Sequence, residues 1–101
     1  MDDRALLRTA ADRLEALAAR TTAGDWRTGG LLASRPEVIA HRADGSTEHV
    51  AETRAGTAAW ITALSPDVAA PLAAWLRTEA GTDPVSAEAR AFAGALLDRL
   101  P

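Results

Sequence analysis

The sequence predicts an α+β fold: an N-terminal helix, a short three-stranded antiparallel meander, and then two to three C-terminal helices packed on one face. Three observations predict this fold. Apolar residues recur at helical spacing over 3–20, β-friendly runs surround an Asp-Gly pair over 31–52, and the rest of the chain repeats helix-start signals. At 101 residues, the length is that of a single domain spanning 1–101.

The first helix is predicted over 3–20. Leu7, Ala10, Leu14 and Leu17 recur three or four residues apart and form one apolar stripe. Asp2 or Asp3 supplies the negative charge that favours the positive end of a helix. This helix is therefore amphipathic, with one side available for a core.

The stretch TTAGDWRTGG, residues 21–30, places a bulky residue among turn formers. Gly24 is suited to the left-handed conformation near a helix end, and Gly29 and Gly30 free the backbone again. We expect Trp26 to be a largely buried anchor between the first helix and the sheet, with its indole N–H bonded to a carbonyl. Full burial predicts that Trp26→Ala costs about 3–5 kcal/mol.

The meander is predicted from three short runs at 31–34, 37–42 and 47–52. Asp44-Gly45 between the last two is a strong hairpin signal. A two-residue turn at Asp44-Gly45 sets the register of the two strands. A register shifted by one residue remains an alternative, because it would pair Val38 with Val50. The expected pairs are Ile39 with Val50, His41 with Glu48, and Val38 with Ala51.

The chain after the meander is helical in pattern. A short apolar helix is predicted over 56–64, with Thr53 or Thr57 as its cap. Ser65 followed by Pro66 is a second start signal, because Ser caps helices and Pro is tolerated in the first turn.

Pro71 lies inside this second C-terminal helix. Its ring and missing N–H predict either a bend or a regular part that is delayed until Pro71. Gly81 is expected to end this helix, and Asp83 before Pro84 to start the last one, over 84–99.

The apolar composition predicts what kind of core the chain can form. Of the 48% apolar residues, 25 are Ala and 12 are Leu, against three Trp and one Phe. We therefore expect a core of small residues in which the few large side chains carry most of the burial energy, about 1.5–3 kcal/mol each.

The charge and the cysteine count exclude several sites and partners. All 11 basic residues are Arg, the net charge is −3, and Cys is absent, so disulfides and thiolate chemistry are excluded. An acidic balance disfavours nucleic acid as a partner. No apolar run approaches the roughly 20 residues of a membrane span, and the acidic start lacks a signal-peptide layout. We expect a cytoplasmic protein with no nucleic-acid or membrane partner.

The order of these segments resembles a known pattern. A helix, the TTAGDW turn, a hairpin at DG, VAET and GTAAWITALSPDVAAPLAAWL are similar to small actinobacterial and actinophage proteins of the Ead-like type. The matching positions are Thr22, Gly24, Trp26, Asp44, Gly45, Val50, Ala51, Ala59, Ile61, Pro66 and Leu72. The resemblance covers about residues 10–77 and implies an α+β domain of unknown function, with no catalytic residues. The Ala- and Arg-rich, Lys-free composition is typical of a GC-rich codon supply, as in actinobacteria and their phages.

The catalytic inventory is small. In the expected register, His41 and Glu48 share one sheet face and His49 lies on the other, which leaves too few ligands for a structural zinc. A cross-strand His–Glu pair explains these residues equally well. The alternative that we retain is a small hydrolase or metal-dependent enzyme using His41, Glu48 and His49.

Other catalytic motifs and cofactor sites are not indicated. None of Ser34, Ser46, Ser65 and Ser86 lies in a nucleophile elbow. The TGG stretch lacks the Lys-Ser or Lys-Thr of a phosphate loop. We expect no catalytic residue, no cofactor and no bound metal.

The favoured interpretation is a non-enzymatic protein that binds a protein partner or forms a homodimer. The helix over 84–99 presents the broad apolar stripe Val85, Phe92, Leu96 and Leu97, which we expect to be the contact surface. Closure of the chain's own core is the alternative role for this stripe. A further alternative is a nucleic-acid-binding regulator built on the last two helices, although these carry only Arg77, Arg90 and Arg99 as cations.

Overall fold

A computed structural model describes residues 1–30 and 35–101 of the chain. The α+β prediction is confirmed: an N-terminal helix, a three-stranded antiparallel sheet and three further helices follow one another. The predicted strand at 31–34 lies outside the described residues. The elements are α1 Asp3–Ala19, β1 Asp25–Gly29, β2 Glu37–His41, β3 Thr47–Glu52, α2 Ala55–Ala63, a 3-10 turn Pro66–Val68, α3 Ala69–Ala80 and α4 Ala87–Leu97.

These elements form two compact units. The helical unit consists of residues 1–20 and 68–101, and therefore contains α1, α3 and α4. The sheet unit consists of residues 21–67 and contains the three strands and α2.

Helix α1 confirms the predicted amphipathic helix. The Asp2 carboxylate caps the helix by accepting a hydrogen bond of 2.7 Å from the Ala5 N–H, and Asp3 lies in the first turn, so the expected negative charge is present at this end. Leu7, Ala10 and Ala11 are its buried residues. Helix α1 packs chiefly on α3 and also on α4, which makes it the central element of the helical unit.

The core of the helical unit is built from small residues, as the composition predicts. Its fully buried members are Leu7, Ala10, Ala11, Ala73, Leu76, Ala80, Ala89 and Ala93. The expectation that large side chains would supply most of the burial is wrong for Trp60 and Trp75, which are 68% and 40% exposed. In the helical unit, alanine at the contacts lets the helices approach closely, which leaves less space between them for the Trp75 ring.

Helix α3 starts later than its start signal predicts. Ser65 precedes the 3-10 turn Pro66–Val68, and the regular helix begins at Ala69. Pro71 then lies in the first turn, where its missing N–H costs no intrahelical bond, so the delayed alternative is confirmed. The helix ends at Gly81, as predicted.

The predicted start of the last helix at Asp83 and Pro84 is wrong. The Thr82 hydroxyl donates to the carbonyls of Glu79 and Pro84 at 2.7 and 3.3 Å, so these residues form a turn after α3. Ser86 is the cap instead, and its hydroxyl oxygen accepts from the Ala89 N–H at 3.1 Å.

Strand β1 lies at Asp25–Gly29, within the stretch of turn formers at 21–30, so it contains Trp26. It pairs antiparallel with β2 from Asp25 opposite His41 to Gly29 opposite Glu37, which places Trp26 opposite Ala40. Trp26 is half-buried, not largely buried as expected, and its indole N–H donates to the Thr22 carbonyl at 3.0 Å, as expected. In strand β1 only one face of the Trp26 ring is covered by the protein, whereas the ring of a core residue is covered on all sides.

Gly24 permits the close approach of β1 to β2. Its φ is +119°, and a Cβ at this position would lie 2.8 Å from the carbonyl oxygen of His41. The predicted positive φ is confirmed, but Gly24 serves the sheet and does not end α1, which finishes at Arg20.

The β2–β3 hairpin has a turn one residue longer than predicted. Gly45, with φ +86°, donates to the Arg42 carbonyl at 3.0 Å, and Arg42 donates to the Ser46 carbonyl at 2.9 Å. This three-residue loop shifts the pairing near the turn by one residue.

The shift changes two of the three expected pairs. Ile39 faces His49 and Ala40 faces Glu48, so the Ile39–Val50 and His41–Glu48 pairs are wrong. An irregularity between Val38 and Ile39 restores the expected register, and Val38 faces Ala51 as predicted.

Helix α2 packs on β1 and β2 in the sheet unit. Ala58 is its fully buried residue. Arg54 occupies the cap position, so neither Thr53 nor Thr57 is the cap. The Thr53 hydroxyl donates a hydrogen bond of 2.9 Å to the Arg54 carbonyl, and among the described residues no side chain caps the N–H groups at the start of α2.

Candidate functional site

Helices α3 and α4 present an exposed aromatic pair. The Trp75 ring stacks on Phe92 with centroids 5.8 Å apart and planes 29° apart. Trp75 is 40% exposed, and Phe92 is half-buried. We call these two side chains the aromatic surface. Stacked aromatic rings add stability beyond their buried area and form rigid, amphipathic contact surfaces.

The structure places the four predicted contact residues in different surroundings. Val85, Leu96 and Leu97 are partly buried and pack against the core of the helical unit. Phe92 reaches the aromatic surface. The stripe thus divides between core closure and an exposed contact area, the two roles weighed from the sequence.

Helix α2 carries a second exposed apolar area. The sequence from Ala55 to Pro66 contains no charged residue. Trp60 is 68% exposed and Leu64, one helical turn later, is 54% exposed. We call Trp60 and Leu64, with the exposed Gly56, Ala59 and Ala63 around them, the α2 face.

The titratable residues proposed for an enzyme are not brought together. Glu48 faces Ala40, while His41 and His49 belong to the other side of the sheet, because cross-strand partners share a face. Glu48 pairs with Arg42 at 2.6 Å, and the His49 ring lies 3.3 Å from the Glu37 carboxylate. The expected cross-strand His–Glu pair thus involves different residues. In the part of the chain that the structure describes, no three His, Asp or Glu side chains are grouped as metal ligands.

Of the candidate serine nucleophiles, Ser46 and Ser86 have local hydrogen-bond partners. Ser46 donates through its hydroxyl and its backbone N–H to Asp44, at 2.6 and 2.8 Å. Ser86 caps α4, and Ser65 is buried. Ser34 lies outside the described residues.

Arg77 on α3 and Arg90 on α4, two of the three cations considered for a nucleic-acid regulator, form ion pairs within the helical unit. Arg77 contacts Asp12 at 2.9 Å and also Glu15, and these hydrogen bonds raise the pKa of Arg77 above its usual value. Arg90 lies 3.5 Å from Asp3. The cations that a nucleic-acid regulator would present are therefore partly neutralised by α1.

An open depression lies at the end of β3, lined by Arg35, Glu52, Thr53 and Arg54, with a volume of about 500 Å³. The Arg35 guanidinium lies 3.6 Å from the Glu52 carboxylate, so one of the two arginines that line the depression already has a carboxylate partner.

Over residues 1–30 and 35–101, no helix is long and apolar enough to cross a membrane.

Comparison with known proteins returned no match: no family model, no curated protein and no solved structure is similar to this chain at a significant level.

Sequence reasoning found Phe92 but missed both exposed tryptophans. Trp75 follows Leu72 at helical spacing, which predicts a position on the apolar side of the helix. The available signal was the excess of alanine, because a helix that buries Ala69, Ala73, Leu76 and Ala80 has its inner side filled without Trp75.

Proposed function

We propose that this chain is a small, non-enzymatic protein that acts by binding another protein, either a second copy or a different partner, through the aromatic surface. The observation that carries the proposal is the exposed, stacked Trp75–Phe92 pair. Tryptophan is enriched among the residues that dominate binding energy in protein interfaces.

The surroundings of this pair support a contact surface. Ala74 is exposed beside Trp75, and Ala91 and Ala95 are exposed beside Phe92. Small neighbours leave both rings accessible, and side chains with few rotamers lose little entropy when a partner covers them.

The proposal extends to location and origin. We place the protein in the cytoplasm and assign it to an actinobacterium, a phage or another mobile element. Its Ala- and Arg-rich composition without Lys supports that origin.

The experiment compares binding by the wild type with that of Trp75→Ser. Immobilised protein is exposed to a lysate of the source cells, and retained proteins are quantified by mass spectrometry. We expect a partner whose retention falls at least tenfold with Trp75→Ser and is unchanged with Ala74→Ser, the matched exposed neighbour. Sedimentation of the wild type and Phe92→Asp tests the second copy as the occupant.

Equal retention by wild type and Trp75→Ser, together with equal sedimentation of wild type and Phe92→Asp, would overturn the proposal. Urea unfolding of each variant checks that the comparison is made between folded proteins.

A further inference from the structure

The α2 face is unusual for a helix at a protein surface. Its residues are apolar or uncharged on all sides, whereas a surface helix ordinarily carries charge on its outer side. The inner side is used against the sheet through Ala58. Trp60 and Leu64 on the outer side remain 68% and 54% exposed. A helix of this composition is typical of a buried position, so its outer side is suited to a partner.

The charges that flank α2 are of opposite sign and lie at opposite ends. Arg54 immediately precedes the helix, and Asp67 follows it in the 3-10 turn. Both residues are exposed, and within residues 1–30 and 35–101 neither forms an ion pair. Arg54 also places a positive charge at the positive end of the helix dipole, which is unfavourable unless an anion is close.

From these observations we infer that the α2 face binds the α2 face of a second copy of this chain, antiparallel about a two-fold axis. Arg54 precedes α2, and Asp67 follows it in the 3-10 turn. A two-fold axis across the middle of α2 therefore places Arg54 of each copy at the end where Asp67 of the other copy lies. The same carboxylate then lies near the N-terminus of the opposing helix, where the dipole favours it.

The small residues of the α2 face make room for this approach. Trp60 lies near the centre of the pairing, one helical turn after Gly56. Gly56 has open space where a Cβ would be, so a partner's ring can lie beside it. One self-complementary patch serves both copies, as two-fold symmetry requires.

The inference adds a surface in the sheet unit to the proposed function, which rests on the helical unit. Nine residues of helix span only about 13 Å. Such an interface is smaller than the roughly 1,200 Å² of total buried area that stable complexes reach, so we expect a weak dimer with a dissociation constant between about 10 µM and 1 mM.

Sedimentation equilibrium at increasing concentration tests the dimer. Wild type self-associates in this range, and Trp60→Glu reduces the association at least tenfold with little change in urea midpoint, because Trp60 is mostly exposed. The control Ala16→Glu adds the same charge at an exposed position of α1 and leaves the association unchanged. A wild type that stays monomeric at about 1 mM overturns the inference, as does an association that Phe92→Asp abolishes and Trp60→Glu does not.

Charge reversal tests the antiparallel arrangement. Arg54→Asp and Asp67→Arg each weaken association several-fold, and the double variant restores it, because the opposed charges are then exchanged. Failure of the double variant to exceed both single variants overturns the pairing.

Introduced cysteines give a second readout, since the chain has no cysteine of its own. Under mild oxidation, a mixture of Arg54→Cys and Asp67→Cys forms a cross-linked heterodimer faster than either variant alone forms a homodimer. Equal rates for the three species overturn the antiparallel pairing. Partner capture that depends on Trp75 is unaffected by these outcomes, so the two proposals fail separately.

Discussion

The helical unit and the sheet unit are stabilised in different ways. In the helical unit, eight fully buried residues, six of them alanines, form one core, and ion pairs of Arg77 and Arg90 connect α3 and α4 to α1. In the sheet unit, Val38, Ala40 and Ala58 are the fully buried apolar residues among those described, and Trp60 is mostly exposed. Side-chain packing therefore contributes most of the stability of the helical unit, while backbone conformation and strand pairing contribute more to the stability of the sheet unit.

The largest expected effect contrasts two leucines. Leu76 is fully buried in the helical unit, so Leu76→Ala should lower the free energy of unfolding by about 3 kcal/mol through lost burial and a cavity. Leu64 in the sheet unit is 54% exposed, and Leu64→Ala should change it by less than about 1 kcal/mol. Urea unfolding measures both, and similar losses would show that burial does not separate the units.

Two glycines should respond to alanine with opposite signs. Gly24→Ala should destabilise the sheet unit by about 2–3 kcal/mol, since the new Cβ meets the His41 carbonyl at a positive φ. Gly94 lies inside α4 with open space around it, so Gly94→Ala should stabilise the helical unit by up to about 1 kcal/mol. Thermal unfolding followed by circular dichroism reports the sign, and a neutral Gly24→Ala would contradict the close approach of β1 to β2.

Trp26 separates ring burial from its hydrogen bond. Because the ring is half-buried, Trp26→Ala should cost about 2 kcal/mol, less than full burial predicts. Trp26→Phe keeps most of the ring and loses the bond to the Thr22 carbonyl, at a cost of about 1 kcal/mol. Chemical denaturation of the pair checks this order, and equal costs would mean that the ring contributes nothing beyond its N–H.

The smallest effect is the pH dependence of the hairpin. Hydrogen bonds from the Ser46 hydroxyl and N–H hold the pKa of Asp44 below its usual value of 3.8. A carboxylate with a lowered pKa stabilises the fold above about pH 4 and loses this contribution as the pH falls through the folded-state pKa. Carboxyl NMR titration should show that Ser46→Ala moves the pKa of Asp44 upward, and an unchanged value would exclude the hydroxyl as the main cause.

The candidate site was only partly predictable. Phe92 was found because it belongs to a helical stripe, but the exposure of Trp75 and Trp60 was not, because sequence spacing identifies a side of a helix without identifying what fills it. The one-residue change in the hairpin loop separates His41 from Glu48, which are expected on one face, and places His41 and His49 on the same side of the sheet. A one-residue change in register alters which side chains of two paired strands share a face, because side chains alternate between the two faces of a sheet.

Sequence alone predicts the order and type of the elements, the acidic start of α1, the turn at Asp44-Gly45 and the end of α3 at Gly81. These features depend on interactions within a few residues, such as an acidic side chain near the first N–H groups of a helix, or Gly45, which accepts a positive φ. The tertiary structure decided that β1 contains Trp26, that the hairpin register shifts, and that alanines displace tryptophans from the core. These outcomes depend on contacts between residues far apart in the chain, whose energies no local pattern contains.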